Sequence, residues 1–320
     1  MDISIVISLY NEQESLRELV SWIHTSIEKS AVLKDKSYEL LFIDDGSTDG
    51  SWDIISEMAA EDKSIRAIRF RRNYGKSAAL QCGFQAAQGD VVFTMDADLQ
   101  DSPEELEGLY TMLKEQNLDI VSGWKKVRYD NKLTKNLPSK LYNWTARKVT
   151  GIPLHDMNCG LKCYRGEVVK NIEVYSDMHR YIPYIAKNAG YSRIAEKPVI
   201  HQKRKYGESK FGVSRFFNGF LDLQTLWFLQ KFGKKPMHIF GVLGIFSFLA
   251  GFVIAVWLIV RKLVAQSGGL RYMAVTDQPL FYLALVALVI GVMLFLCGFL
   301  AELISRQSPT RNEYGIKERI

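Results

Sequence analysis

The sequence predicts an α/β domain followed by an interfacial amphipathic segment and a two-helix transmembrane hairpin. Three observations carry this expectation. Strand-like apolar runs alternate with helical patterns from Ile3 to Asp96, aromatic residues share one helical face around Phe217 to Trp227, and two long apolar runs lie between Met237 and Ala301. At 320 residues with 48% hydrophobic content, the chain can bury one full core and carry a second unit.

The runs "ISIVISL", "YELLFID", "IRAIRF" and "DVVFTMD" read as strands, and "SLRELVSWIHTSIEKS", "SWDIISEMAAED" and "KSAALQCGFQAA" read as the helices between them. A parallel sheet requires this alternation, because each crossover must return the chain over the sheet. In such sheets ligands bind beyond the carboxyl ends of the strands. The stretches that fall there are "YNE", "DDGSTDGS", "RRNYGKS" and "DADLQD". No internal repeat or low-complexity segment is visible.

Two of these stretches are acidic. In "DDGSTDGS", Asp44 and Asp45 close a strand and Gly46 permits a tight turn before a helix starting near Ser51. A carboxylate so placed can accept hydrogen bonds from a nucleobase or a ribose. In "VFTMDADLQDSPEE", Asp96, Asp98 and Asp101 crowd together, and like charges so close repel unless something positive lies between them. Asp96 and Asp98, separated by one small residue, can aim at a single hard cation. Mg2+ typically takes one or two protein carboxylates and completes its shell from water and substrate phosphates.

Further along, "PLHDMNCGLKCYRG" places Asp156 in a loop with Pro153, Asn158 and Gly160, and "HQKRKYGESKFG" supplies Lys203, Arg204, Lys205 and Lys210. A solvated basic face is the plain alternative for the second stretch. In "VSRFFNGFLDLQTLWFLQKFGKK", Phe217, Phe220, Leu221 and Trp227 suit an interfacial helix, with a core helix as the rival. Met237–Val260 and Leu280–Ala301 are each long enough to cross a hydrocarbon core of ~30 Å, which takes ~20 apolar residues. A polar loop with Gly268, Gly269 and Pro279 separates them.

The start "MDISIVISLYNE" has none of the marks of a signal peptide. Lys231, Lys234 and Lys235 before the first span, with Arg306, Arg311, Lys317 and Arg319 after the second, favour both ends inside; Arg261, Lys262 and Arg271 weaken that vote without reversing it. The expected organisation is a cytoplasmic domain at 1–212, a juxtamembrane amphipathic segment at 213–235, spans at about 237–260 and 280–304 within 236–304, and a cytoplasmic tail at 305–320. That describes a multi-pass protein of the inner (plasma) membrane. The net charge of +6 gathers towards the membrane-proximal region, so anionic headgroups and not nucleic acid are the expected partner. Cys82, Cys159, Cys163 and Cys297 show no CxxC spacing and read as reduced structural thiols.

Taken together, "SLYNE", "DDGSTDGS", "RNYGKSAAL" with "GFQAAQGD", "MDADLQDSPEE" and "KYGESK" resemble the family 2 glycosyltransferases. Within that family they resemble the polyprenyl-phosphate sugar transferases, such as dolichyl-phosphate mannose synthases and bacterial undecaprenyl-phosphate glucosyl- and aminoarabinosyltransferases. The resemblance runs over roughly the first two-thirds of the chain, and the double span continues it.

It implies a GT-A (Rossmann-like) catalytic domain, a nucleotide-sugar donor, and Mg2+ or Mn2+ held by Asp96 and Asp98. By position, Leu9, Tyr10, Glu12 and Asp44 would line the nucleoside pocket, and Asp96 would also face the diphosphate. Lys76 is either a phosphate contact or a solvated lysine at a helix start. Asp156 takes the place of the family's proposed catalytic base. A phosphate monoester with a second pKa near ~6 is already largely ionised, so orienting the acceptor is the alternative role. Arg204, Gly207, Ser209 and Lys210 follow the family's acceptor-phosphate pattern, and Lys125, Lys126 and Arg128 are candidates on an acceptor loop.

The reaction implied is inverting transfer of a sugar to a polyprenyl phosphate, undecaprenyl phosphate in bacteria. UDP-glucose is the first choice of donor; other UDP-hexoses, UDP-aminoarabinose derivatives and GDP-mannose stay open, as does homo-oligomerisation. A processive polysaccharide synthase is a rival, but the chain has no Arg-Trp pair and two spans are too few for a channel. A non-catalytic membrane anchor that binds nucleotide sugars is another, and intact acids at Asp96, Asp98 and Asp156 argue against it.

Overall fold

The computed structural model describes residues 1–126, 147, 150–175, 177–202, 205–206, 224–225, 228, 232, 235–269 and 273–307. They fall into two compact units, Met1–Leu223 and Gln224–Ile320.

The first unit opens with β1 (Ile3–Leu9), α1 (Leu16–Lys29), β2 (Tyr38–Asp44), α2 (Ser51–Glu61), β3 (Ile65–Arg69), α3 (Lys76–Ala86) and β4 (Val91–Asp96), close to the elements read from the apolar pattern. It continues with α4 (Glu105–Glu115), β5 (Ile120–Trp124), β6 (Lys162–Arg165), α5 (Gly166–Lys170), α6 (Ile182–Asn188) and β7 (Ile194–Pro198). The strands form one seven-stranded sheet in the order β3-β2-β1-β4-β6-β5-β7. Both faces are covered, which is why the central strands read as unbroken apolar runs. Leu16, Leu19 and Ile23 of α1 and Leu106, Leu109 and Leu113 of α4 belong to one buried cluster, and Ala79, Leu80 and Phe84 of α3 belong to the other. Each large side chain so buried contributes roughly 1.5–3 kcal/mol.

The sheet departs from a purely parallel one at β6, which runs antiparallel to both neighbours; Lys162 lies opposite Thr94 of β4 and Ser122 of β5. A strand of four residues carries no sign of its direction in its own sequence. The reversal puts the amino end of β6 beside the carboxyl end of β4. The loop that precedes β6, with Asp156 in it, therefore arrives at the ligand edge of the sheet.

The second unit holds α7 (Met237–Ser267) and α8 (Pro279–Gln307). Both are long and apolar enough to cross a membrane. Helix α7 continues past Val260 to Ser267, so Arg261 and Lys262, read as loop, lie on its last turns. Leu263, Val264 and Ala265 keep the helix going until Gly268. The two helices meet through small residues: a Cβ added at Gly244 would lie 2.7 Å from the Gly291 carbonyl oxygen, and one at Gly251 would lie 2.6 Å from that of Ala284. Ser247 Oγ donates to the Ala287 carbonyl at 2.8 Å. Large apolar residues such as Phe246 and Ile304 face outward. The expected amphipathic segment at 213–235 and tail at 305–320 lie largely outside the described residues.

Candidate active site

Strand register lines up the ends that matter. Leu9 pairs with Asp44, Asp44 with Arg69, and Ser8 with Asp96, so β1 to β4 finish almost level.

The loops after β1 and β2 are laced together. The Asn11 N–H donates to Ser47 Oγ at 2.9 Å, Asn11 Oδ1 accepts from the Thr48 N–H at 2.8 Å, and the Glu12 N–H donates to Ser51 Oγ at 3.1 Å. Asn11 takes φ +56°, a left-handed conformation that asparagine tolerates. Asp44 is fully buried: Oδ1 accepts from the Ser47 N–H at 2.8 Å, and Oδ2 lies 3.4 Å from Arg69 Nε. Gly46 has φ +74°, and a Cβ there would lie 2.4 Å from the backbone of Arg72, so no side chain fits this turn. A hollow of about 690 Å³ beside it is lined by Gly46, Ser47, Thr48, Arg69, Phe70 and Arg71.

The second acid of the pair has its own task. Asp45 accepts from the N–H groups of Tyr74 at 2.7 Å and Gly75 at 2.9 Å, and so shapes the turn from which α3 starts. Burial, helped by neighbouring Asp44, raises its pKa against the pull of those two hydrogen bonds. Helix α3 begins at Lys76, whose ammonium pairs with Asp96. Ser77, next in line, is buried with its Oγ 3.0 Å from His179 Nδ1 and accepts from the His179 N–H at 3.0 Å.

Asp96 and Asp98 are both partly exposed, and Asp98 Oδ1 accepts from the Gln100 N–H at 3.2 Å. Leu99 reverses the chain after them with φ +59°, a conformation that costs a β-carbon-bearing residue roughly 1–2 kcal/mol. The pair offers hard oxygen donors on one loop. Among the described residues no three His, Cys, Asp or Glu side chains converge. The acids thus fit a divalent ion that takes the rest of its shell from phosphate oxygens.

The loop before β6 closes over these acids. Thr94 Oγ1 donates to the Gly160 carbonyl at 2.8 Å, and a Cβ on Gly160 would lie 2.5 Å from Asp96 Oδ2, so only glycine lets the two loops pack. Asp156 is buried, with Oδ1 accepting from the Asn158 N–H at 3.2 Å. His155 stacks on Trp124 at 4.4 Å and binds Glu196 of β7, which anchors the loop. Lys162 lies beneath, donating to the Cys159 carbonyl. Burial lowers its pKa, and Cys159 and Asp156 pull the other way. Burial also pushes the Cys159 thiol up to about 12, which leaves it inert.

Lys125 is brought to Asp101 at 2.9 Å, deep in the unit. That pair answers the crowding of acids in "DADLQD": the third carboxylate faces inward onto a cation. Arg128, Arg204, Ser209 and Lys210 lie outside the described residues. Sequence reasoning missed the roles of Asp45 and Lys162. A lysine within the apolar run "GLKCY" was the one available signal for the latter.

A doubly covered α/β sheet with carboxylates at the ends of β2 and β4 places the first unit in the class of GT-A-like domains. Residues 4–173 match the model of glycosyl transferase family 2, and the chain belongs to that family. It is 32% identical over 308 residues to the dodecaprenyl-phosphate galacturonate synthase of Rhizobium johnstonii, covering 96% of this chain and 88% of that protein. It is 34% identical over 305 residues to the undecaprenyl-phosphate 4-deoxy-4-formamido-L-arabinose transferase of Proteus mirabilis, covering 95% and 88%. Among solved structures, mannosyl-3-phosphoglycerate synthase from Rubrobacter xylanophilus shares the fold with a TM-score of 0.57 at 16% identity, over 72% of this chain and 75% of that one. Glucosyl-3-phosphoglycerate synthase from Mycobacterium tuberculosis, crystallised with Mn2+ and UDP-glucose, gives 0.52 at 19% identity, over 69% and 79%.

Proposed function

We propose that this glycosyltransferase moves a sugar from a nucleoside-diphosphate sugar to a polyprenyl phosphate, with inversion at the anomeric carbon. The observation that carries the reading is that similarity to two polyprenyl-phosphate transferases extends over at least 95% of the chain, catalytic unit and hairpin alike. Tyr10 and Glu12 face the nucleoside, Leu9 borders it through its backbone with its side chain in the core, and Asp44 shapes the same pocket through the Ser47 turn and Arg69. When bound at Asp96 and Asp98, Mg2+ or Mn2+ supplies positive charge to the leaving diphosphate. Lys76 exchanges Asp96 for a phosphate oxygen of the donor.

The lipid phosphate arrives ionised, so Asp156 orients the acceptor more than it removes a proton. Arg204, Ser209, Lys210 and Arg128 hold that phosphate, and guanidinium forks suit its oxygens. A polyprenyl chain leaves a bilayer at a cost of ~0.8 kcal/mol per CH2, and the hairpin brings the enzyme to it. On this reading the enzyme is a multi-pass protein of the inner membrane with its catalytic unit cytoplasmic.

For the sugar, UDP-glucose remains the first choice from the motifs, and the relatives' names bring galacturonate and 4-deoxy-4-formamido-L-arabinose forward. The test is a panel of UDP-glucose, UDP-galacturonate, UDP-4-deoxy-4-formamido-L-arabinose and GDP-mannose, each assayed with undecaprenyl phosphate in detergent. One donor should give a lipid-phosphate-linked sugar, and unphosphorylated undecaprenol should give none. Polymer formed without lipid phosphate would replace the reading with a processive synthase, and no turnover of any donor would leave a non-catalytic anchor.

A further inference from the structure

Among the described residues, Asp101 is the carboxylate near the site at which three separate strand ends meet. It is 1% exposed, its Oδ1 lies 2.9 Å from Lys125 Nζ and 3.7 Å from His201 Nδ1, and those two side chains are themselves largely buried. Asp101 belongs to the loop leaving β4, Lys125 follows β5 directly, and His201 lies just past β7. Backbone contacts repeat the connection. Asp101 and His201 form an isolated antiparallel bridge, the Gln202 N–H donates to the Gln100 carbonyl at 2.8 Å, and the Ile200 N–H donates to Glu105 Oε1 at 3.1 Å. From the other side, a Cβ on Gly160 would lie 3.2 Å from Asp101 Oδ2, so the loop carrying Asp156 packs on the same carboxylate.

Stability alone does not call for this arrangement. A buried ion pair is often no better than well-packed apolar groups, because desolvation offsets the Coulombic gain. What charges at a three-way junction do supply is geometry: carboxylate and ammonium fix the mutual distance of the segments that bear them. The segments here are the metal-facing loop and the starts of the two stretches assigned above to the acceptor phosphate. Lys125 gives its charge to Asp101.

We propose that Asp101 is a positioning residue for the acceptor: by pinning Lys125 and His201 to the loop of Asp96 and Asp98, it holds the stretches that begin there at the spacing at which they bind the lipid phosphate. The inference rests on the acceptor reading for what is bound, while the junction itself is seen directly.

The test uses the full chain in detergent, as Asp101→Asn and as the double variant Asp101→Asn/Lys125→Met. Acceptor KM with undecaprenyl phosphate, UDP binding by calorimetry with Mn2+ present, and melting temperature are measured for each. Asp101→Asn strands the Lys125 charge and lowers the melting temperature, and the double variant restores it by removing that charge. In both, acceptor KM should rise about ten-fold, equivalent to ~1.4 kcal/mol, while kcat at saturating acceptor and UDP affinity stay near wild type.

A double variant with wild-type acceptor KM would reduce Asp101 to a counter-ion for Lys125 and overturn the proposal. So would a loss confined to kcat or to UDP affinity. Arg204→Ala separates the two readings. If it leaves acceptor KM unchanged while both Asp101 variants raise it, the assignment of the basic stretch fails and the positioning role stands; the reverse pattern removes the positioning role alone.

Discussion

Asp96 and Asp101 lie on one loop and share one chemistry, yet their settings are opposite. The Asp96 side chain and its partner Lys76 are each 30% exposed, whereas Asp101 is 1% and Lys125 15%. An exposed ion pair is worth about 0–1 kcal/mol and can be traded for a ligand at little cost. Breaking a buried pair by removing one partner costs about 3–5 kcal/mol. Exposure thus sorts the acids of "DADLQD" into a set free to change partners and a member that holds the framework.

The sharpest way to break this comparison is at Asp98. Asp98→Ala should lower kcat/KM by about 10³-fold or more, the scale of lost transition-state charge stabilisation, and excess EDTA should do the same to the wild type, both without a drop in melting temperature. Full activity in EDTA would remove the metal from the site, and a collapse in stability would place Asp98 with the framework acids. Next comes Asp156→Asn, for which positioning predicts a loss smaller than the 10²–10⁴-fold typical of a general base. The pH profile of kcat/KM should then follow phosphate ionisation near ~6. Complete inactivity with both substrates still bound would make Asp156 an obligatory base.

Lys76→Met should act more mildly, raising donor KM about ten-fold through a lost charge-assisted contact of about 1.5–3 kcal/mol with little change in stability. If stability fell and donor KM did not, Lys76 would belong with Lys125. The smallest effect concerns pH. Burial favours the neutral form of Asp101, but Lys125 and His201 outweigh it and hold the carboxyl well below its usual range. The stabilisation is therefore complete above the unfolded pKa of about 3.9 and lost only as pH falls through the lower folded value. The melting-temperature gap between wild type and Asp101→Asn should persist from about pH 7 to about pH 5, and should close only below about pH 4. A gap that already closes by pH 5 would contradict the direction of the shift.

The legibility of the molecule in its sequence divides along a similar line. Strands β1, β2 and β4 are buried on both faces and longer than their neighbours, so apolar runs located them nearly to the residue. The acids at their ends were readable because the strands were. Strands β5, β6 and β7 have four or five residues each, too few for period to show, and the direction of β6 depends on pairing with β4 and β5. The partners of Asp101 come from Lys125 and His201, and those of Asp45 from Tyr74 and Gly75. Such contacts exist only once the sheet has assembled, and no local pattern encodes them. Asp44 and Asp45 looked equivalent as letters; the backbone turn at Gly46 separates them, giving one to Ser47 and Arg69 and the other to the start of α3.

Helices α7 and α8 touch backbone to backbone where Gly244 meets Gly291 and Gly251 meets Ala284. Two rods in such close contact enclose no lumen, and a hexose, let alone a growing glycan, is wider than the space left between them. Within one chain the hairpin can hold a lipid substrate alongside but cannot conduct a sugar across. Close packing of this kind makes the hairpin of a single chain an anchor and not a conduit.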